Sequence, residues 1–162
     1  MGRLAGAAAR SVAAGDDLEV LELAIRTAMT RLGAALLEGL LAGDAGYRGP
    51  RADCPAGHQA AFTGYRAKTI DTVVGPVTLR RAWYHCAECR HGLAPRDAEL
   101  GCAHASMSPG LAKMTARAAA AVPFARAAGL LGELAGIELT VKRVERSAEA
   151  AGAAAAGHQR PD

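Results

Sequence analysis

Two short clusters of soft side chains, Cys54-Pro55-Ala56-Gly57-His58 and Cys86-Ala87-Glu88-Cys89, lie 27 residues apart in a chain of 162. A C-x3-H pair and a C-x2-C pair separated by room for a β-hairpin suit zinc. That ion takes four N or S ligands in a tetrahedron, and two knuckles on a small sheet supply them with little core. The intervening strands are poor in apolar residues, so a metal is expected to contribute much of their folding energy. Cys54, His58, Cys86 and Cys89 are the expected ligands of one structural zinc. Cys102 and His104 are an alternative to the first pair, His85 and His91 flank the second, and plain burial of the cysteines is the simplest alternative. A redox C-x-x-C opens a helix after a strand, whereas Arg90-His91-Gly92 reads as continuing turn. A closed four-ligand site leaves no position for water or substrate, which points to a structural ion.

The rest of the chain predicts an α+β fold: an N-terminal helix, a small zinc-ribbon β-sheet and a C-terminal helical bundle with a helix-turn-helix. Residues 1–15, rich in Gly and Ala, read as a flexible lead-in. Asp16 and Glu19 have capping-box spacing and open an amphipathic helix over 16–43. Its stripe of Leu18, Leu21, Ile25, Met29, Leu32, Leu36 and Leu40 has two possible destinations. It packs on the rest of the chain, or the Leu21–Leu40 helix makes a homodimer. The zinc-ribbon domain is expected over 46–97, and Gly43–Pro55, at its start, reads as a connector. Strands are expected at Ala61–Arg66, Thr69–Val74 and Val77–His85, with Gly75-Pro76 as the last turn. A polar loop with Pro95 and Asp97 follows Gly92. Ser108-Pro109 is a helix start, and 106–152 reads as three helical pieces broken at Pro123 and Gly136. Residues 153–162 read as a frayed tail.

Charge is unevenly placed. Asp16–Asp44 carries six acids and two bases, whereas Gly46–Gly92 carries seven bases and three acids. A basic middle points to an anionic partner. Arg66, Lys68, Arg80 and Arg81 stand on the strands among Tyr65, Trp83 and Tyr84, where bases suit phosphate contact; Trp83 is expected in the core of the sheet. In the C-terminal part, Phe124, Ala127, Ala128, Leu131 and Leu134 form one helix face. Gly136 fits a left-handed C′ position, and Thr140 caps the next helix. Val141, Val144 and Ala148 are expected inward, leaving Lys142, Arg143 and Arg146 outward near its start, as in a recognition helix. These residues make double-stranded DNA the expected partner. The alternative is a zinc-dependent protein-interaction or dimerisation module with no DNA role. No nucleophile–base pair or open metal site marks an enzyme or a small-molecule substrate. Charges at Glu22, Arg26, Arg31 and Glu38 exclude a membrane span. With no secretory signal visible, a cytoplasmic, nucleoid-associated location is expected.

The run Gly64-Tyr65-Arg66-Ala67-Lys68-Thr69 followed by Gly75-Pro76-Val77-Thr78-Leu79-Arg80-Arg81-Ala82-Trp83-Tyr84-His85-Cys86 and Cys89 resembles the N-terminal region of ISKra-type insertion-sequence transposases. The likeness continues through Pro95-Arg96-Asp97, Ser108-Pro109, Pro123-Phe124, Leu130–Ile137 and Val144-Glu145-Arg146, covering roughly residues 50–150. It implies a zinc-ribbon and helix-turn-helix part that recognises transposon ends. A following RNase-H-like domain would hold two metal ions on three carboxylates for strand cleavage and joining. No such sheet follows Thr140, so the chain is expected to be a truncated or separately encoded front end without catalytic residues. It departs from the family where a first cysteine pair is expected and Cys54 with His58 stands.

Overall fold

An acid at the start holds the first helix, α1 (Leu18–Ala42): the Asp17 side chain accepts from the Val20 N–H at 3.0 Å. In this computed structural model the described residues are 17–158, so the expected cap Asp16, the lead-in 1–15 and residues 159–162 lie outside them. No residue of α1 is buried. Leu21, Ala28, Gly33, Leu37 and Leu41 are half-buried towards the body, whereas Leu18, Ile25, Met29, Leu32, Leu36 and Leu40 are exposed. Only part of the expected stripe therefore packs on the chain itself. The polar groups of α1 do much of its docking. The Arg26 guanidinium donates to the Glu133 carbonyl at 2.9 Å, and the Glu38 carboxylate accepts the Thr78 N–H at 2.6 Å.

Four antiparallel strands follow in consecutive order: β1 (Arg51–Asp53), β2 (Gln59–Thr72), β3 (Gly75–Cys86) and β4 (His91–Leu93). The two strands expected at 61–66 and 69–74 are one. A bulge between Phe62 and Gly64 absorbs a register shift, so β2 continues unbroken beside β3. The turn itself is Val73-Val74, and Gly75-Pro76 already belong to β3. The Thr72 hydroxyl braces the turn, donating to the Gly75 carbonyl at 2.7 Å and accepting the Val74 N–H at 3.2 Å. Strands β1 and β4 fall in segments read as connector and turn; each has three residues, too few to display an alternation. The outer edge of β3 is covered from the α1 side, by Glu38 at Thr78 and by the Ala45 carbonyl, which accepts the Ala82 N–H at 2.7 Å.

Beyond the sheet come α2 (Pro95–Glu99), inside the segment read as a polar loop, then α3 (Pro109–Ala121), α4 (Phe124–Ala135) and α5 (Val141–His158). The Ser108 hydroxyl accepts from the Leu111 N–H at 3.2 Å with Pro109 at the first helical position, as expected. Gly136 closes α4 at φ +67°, where a side chain would be strained, and the Ile137 N–H reaches back to the Leu131 carbonyl at 3.0 Å. The Thr140 hydroxyl accepts from the Arg143 N–H at 3.3 Å. Leu111, Ala127, Leu131, Ile137, Leu139 and Val144 form the helical core. Phe124, Leu134 and Val141, expected inward, are exposed, because Ala127, Leu131 and Val144 already fill the contact. Helix α5 runs through His158, so residues 153–158 are helical and not a frayed tail.

One carboxylate ties α2 to the sheet. Asp97, with a side-chain exposure of 8%, accepts from Lys68 Nζ at 3.0 Å and Arg81 Nη1 at 2.7 Å. Lys68 also donates to the Cys102 carbonyl at 2.7 Å. Removing the anion would leave two half-buried cations unpaired. Asp97→Ala is expected to cost roughly 3 kcal/mol, read as a lowered urea midpoint; a midpoint equal to the wild type would show that the pairing contributes nothing.

Candidate metal centre

The two knuckles are shaped by their own backbones. Cys54 follows β1, its N–H donating to the His58 carbonyl at 2.9 Å, while the Gly57 N–H donates to the Cys54 carbonyl at 2.9 Å. Gly57 sits at φ +82°, a conformation that favours glycine, and this turns His58 back over Cys54. In the second knuckle Cys86 ends β3 and the Cys89 N–H points at its sulfur, 3.4 Å away. Arg90 then takes a left-handed conformation, φ +54°, which redirects the chain into β4 so that His91 pairs with Cys86.

Four side chains converge as a result. Cys54 Sγ lies 3.8 Å from Cys89 Sγ, and His58 Nδ1 lies 3.1 Å from Cys89 Sγ and 3.8 Å from Cys86 Sγ. All four ligand atoms fall within 4.8 Å of one another, so the cluster can hold a metal ion. Cys54 and Cys86 are buried, Cys89 is half-buried and His58 exposed. The thiols do not ionise independently. Burial, with Cys86 and Cys54 alongside, pushes the Cys89 thiol up to about 12. At Cys54, burial opposes the thiolate, but the Ala56 and His58 N–H groups and the neighbouring thiols outweigh it and lower its pKa. Crowded sulfurs that admit one negative charge and resist the next are relieved by a cation among them.

The alternative ligands are elsewhere. Cys102 is buried with Ile70, Leu79 and Leu100 in a separate small core, and His104 is exposed. His85 and His91 are exposed and outside the cluster. The basic residues divide. Lys68 and Arg81, expected as phosphate contacts, are instead held inside by Asp97. Arg143, expected to project outward, donates to Asp71 Oδ2 at 2.6 Å and fastens α5 to β2. Arg66 and Arg80 are exposed but steadied on rings, 4.5 Å over Trp83 and 3.8 Å over Tyr65. Lys142 and Arg146 are exposed on α5. Trp83, expected in the core, is half-buried: Arg66 and Arg81 lie over it, and it packs so closely on Gly92 that a Cβ there would collide with the indole.

Sequence reading missed Asp97 and Asp71. Their partners lie 16 to 72 residues away, and no local pattern marks either acid. Comparison with family models, curated proteins and solved structures gives no match. Among the described residues no helix is long and apolar enough to cross a membrane.

The two cysteine environments make a clean contrast. Cys86→Ser is expected to abolish bound metal in the purified protein and to collapse the amide spectrum of residues 51–93. Cys102→Ala should retain full metal content. Elemental analysis giving the opposite ranking would move the site to Cys102.

Proposed function

We propose that this chain binds double-stranded DNA, is organised by one structural zinc, and is the end-recognition part of an ISKra-type transposase. The observation that carries the reading is at the start of α5. Gly136 and the Thr140 cap fix where the helix begins, Val144 is fully buried beneath it, and Lys142 and Arg146 stand exposed one turn apart. A helix anchored on one side that presents Lys142 and Arg146 on the other, with Glu145 and Glu149 beside them, offers two bases to the major groove, where side chains near a recognition helix's N-terminus reach base edges. Arg143 then positions the helix through Asp71 and does not read bases.

Zinc is the metal that fits the ligand set. Three thiols and an imidazole are soft to borderline donors, unsuited to calcium or magnesium. A tetrahedron with Zn–S bonds of about 2.3 Å has edges of about 3.8 Å, and Cys54 and Cys89 lie 3.8 Å apart. Four protein ligands leave no open coordination position, so the ion would hold the sheet and supply no chemistry. No catalytic residue is assigned. Arg66 and Arg80, on the sheet, are suited to phosphates, which orient a protein on DNA without reading sequence.

The test is gel-shift titration of metal-loaded protein on a duplex selected from a random pool and on unselected DNA. Arg146→Ala should cost about 1–3 kcal/mol on the selected site and little on random DNA. Arg80→Ala should weaken both alike and make the salt slope shallower by about one unit. Absence of any duplex binding at low salt would refute the reading. Salt-independent association with a protein partner would favour an interaction module instead.

A further inference from the structure

Among the described residues nothing covers the outward face of α1. Leu18, Ile25, Met29, Leu32, Leu36 and Leu40 are between 40% and 79% exposed. Arg26 and Glu38, on the same helix, bind the body. Leu21, Leu37 and Leu41 are half-buried towards the body, so the exposed stripe is apolar surface beyond what docking the helix uses. Together the six side chains expose on the order of 400 Å² of contiguous apolar surface, as much as the largest patch on a typical monomer.

We propose that this stripe is an interface with a second copy of the chain, the two α1 helices packing antiparallel. From Ile25 the apolar positions recur at spacings of four, three, four and four, the rows along which two helices interlock at a shallow angle. An identical helix presents identical rows, so a two-fold pair is self-complementary. The stripe runs roughly 33 Å along the helix. Exposed Ala24, Ala35 and Gly39 beside it leave room for close approach. These flanks are small, so each copy contributes less than the roughly 800 Å² of a standard interface, and the pair lies at the low end of interface sizes.

Charge sets the direction. Asp17, Glu19 and Glu22 are exposed at the N-terminal end. Parallel packing would set these acids against their own copies, whereas antiparallel packing separates them by most of the helix length. The same acids, in a segment of net negative charge, disfavour an anionic lipid surface, which binds helices with basic polar faces. This inference does not depend on DNA binding, and its test contains no DNA.

Sedimentation equilibrium of the full, metal-loaded chain should give twice the chain mass. Met29→Glu and Leu36→Glu alter only exposed positions, and each should yield a monomer with unchanged helix content and metal content. In a Met29→Cys variant the added thiol, at the middle of the stripe, should cross-link to its own counterpart under mild oxidation. One placed at Leu40 should not, with wild-type protein as control for the native thiols. A wild-type monomer at all concentrations, a mass above two chains, or a dimer surviving both glutamates would overturn the interface. Cross-linking at Leu40 in preference to Met29 would overturn the antiparallel direction.

Discussion

The apolar core at the knuckle end of the sheet is thin, with Phe62 and Leu93 only partly buried against it. Its buried residues are Cys54, Ala60, Ala82, Tyr84 and Cys86, of which two are prospective ligands and two are alanines. Alanine burial stabilises little, since the hydrophobic term scales with apolar area, and β1 and β4 are too short to hold themselves in place. The convergence of Cys54, His58, Cys86 and Cys89 is therefore the constraint on which this part of the chain depends. It joins the turn after β1 to the turn after β3. Tyr84, one side of that small core, carries the effect outward: its hydroxyl donates to the Gly49 carbonyl at 3.0 Å and accepts the Arg48 N–H at 2.8 Å, fixing the connector from α1.

A second layer of organisation is ionic. Asp97 neutralises Lys68 and Arg81 between α2 and the sheet, and Asp71 binds Arg143 between the hairpin and α5. Asp71 also exchanges backbone hydrogen bonds with the segment before α3, accepting from the Ser108 N–H at 2.9 Å and donating to the Ser106 carbonyl at 3.0 Å. Two acids thus decide which basic residues are structural and which remain at the surface. Of the seven basic residues expected to meet DNA, Arg66, Arg80, Lys142 and Arg146 stay exposed, and they lie on two different elements, the sheet and α5.

Much of this was legible in residue types alone. Helix signals with a local mechanism appear where the sequence puts them: Ser108-Pro109, the break at Pro123, Gly136 in its left-handed conformation and the Thr140 cap. The convergence of the two knuckles was legible because metal coordination demands particular side chains at particular spacings, and the four named residues do cluster. Long-range pairing was not. Nothing near Lys68, Arg81 or Arg143 in sequence announces that Asp97 or Asp71, 16 to 72 residues away, will claim them. The same limit hid the outward face of α1. Periodicity shows that an apolar stripe exists, but burial depends on what the rest of the chain brings to it, and here the body offers Arg26 and Glu38 their partners while the stripe from Leu18 to Leu40 stays largely uncovered by the described residues. The continuity of β2 was hidden at Ala67-Lys68, which read as a gap between two strands although both residues pair regularly with Arg80 and Leu79.

At the knuckle end of the sheet three sulfurs and one imidazole nitrogen stand close enough to enclose a single ion. X-ray absorption at the zinc edge of the purified full chain measures that coordination directly. The account predicts one zinc per chain with three sulfur neighbours at about 2.3 Å and one nitrogen at about 2.0–2.1 Å. A shell of oxygen ligands, or fewer than three sulfurs around the ion, would contradict it.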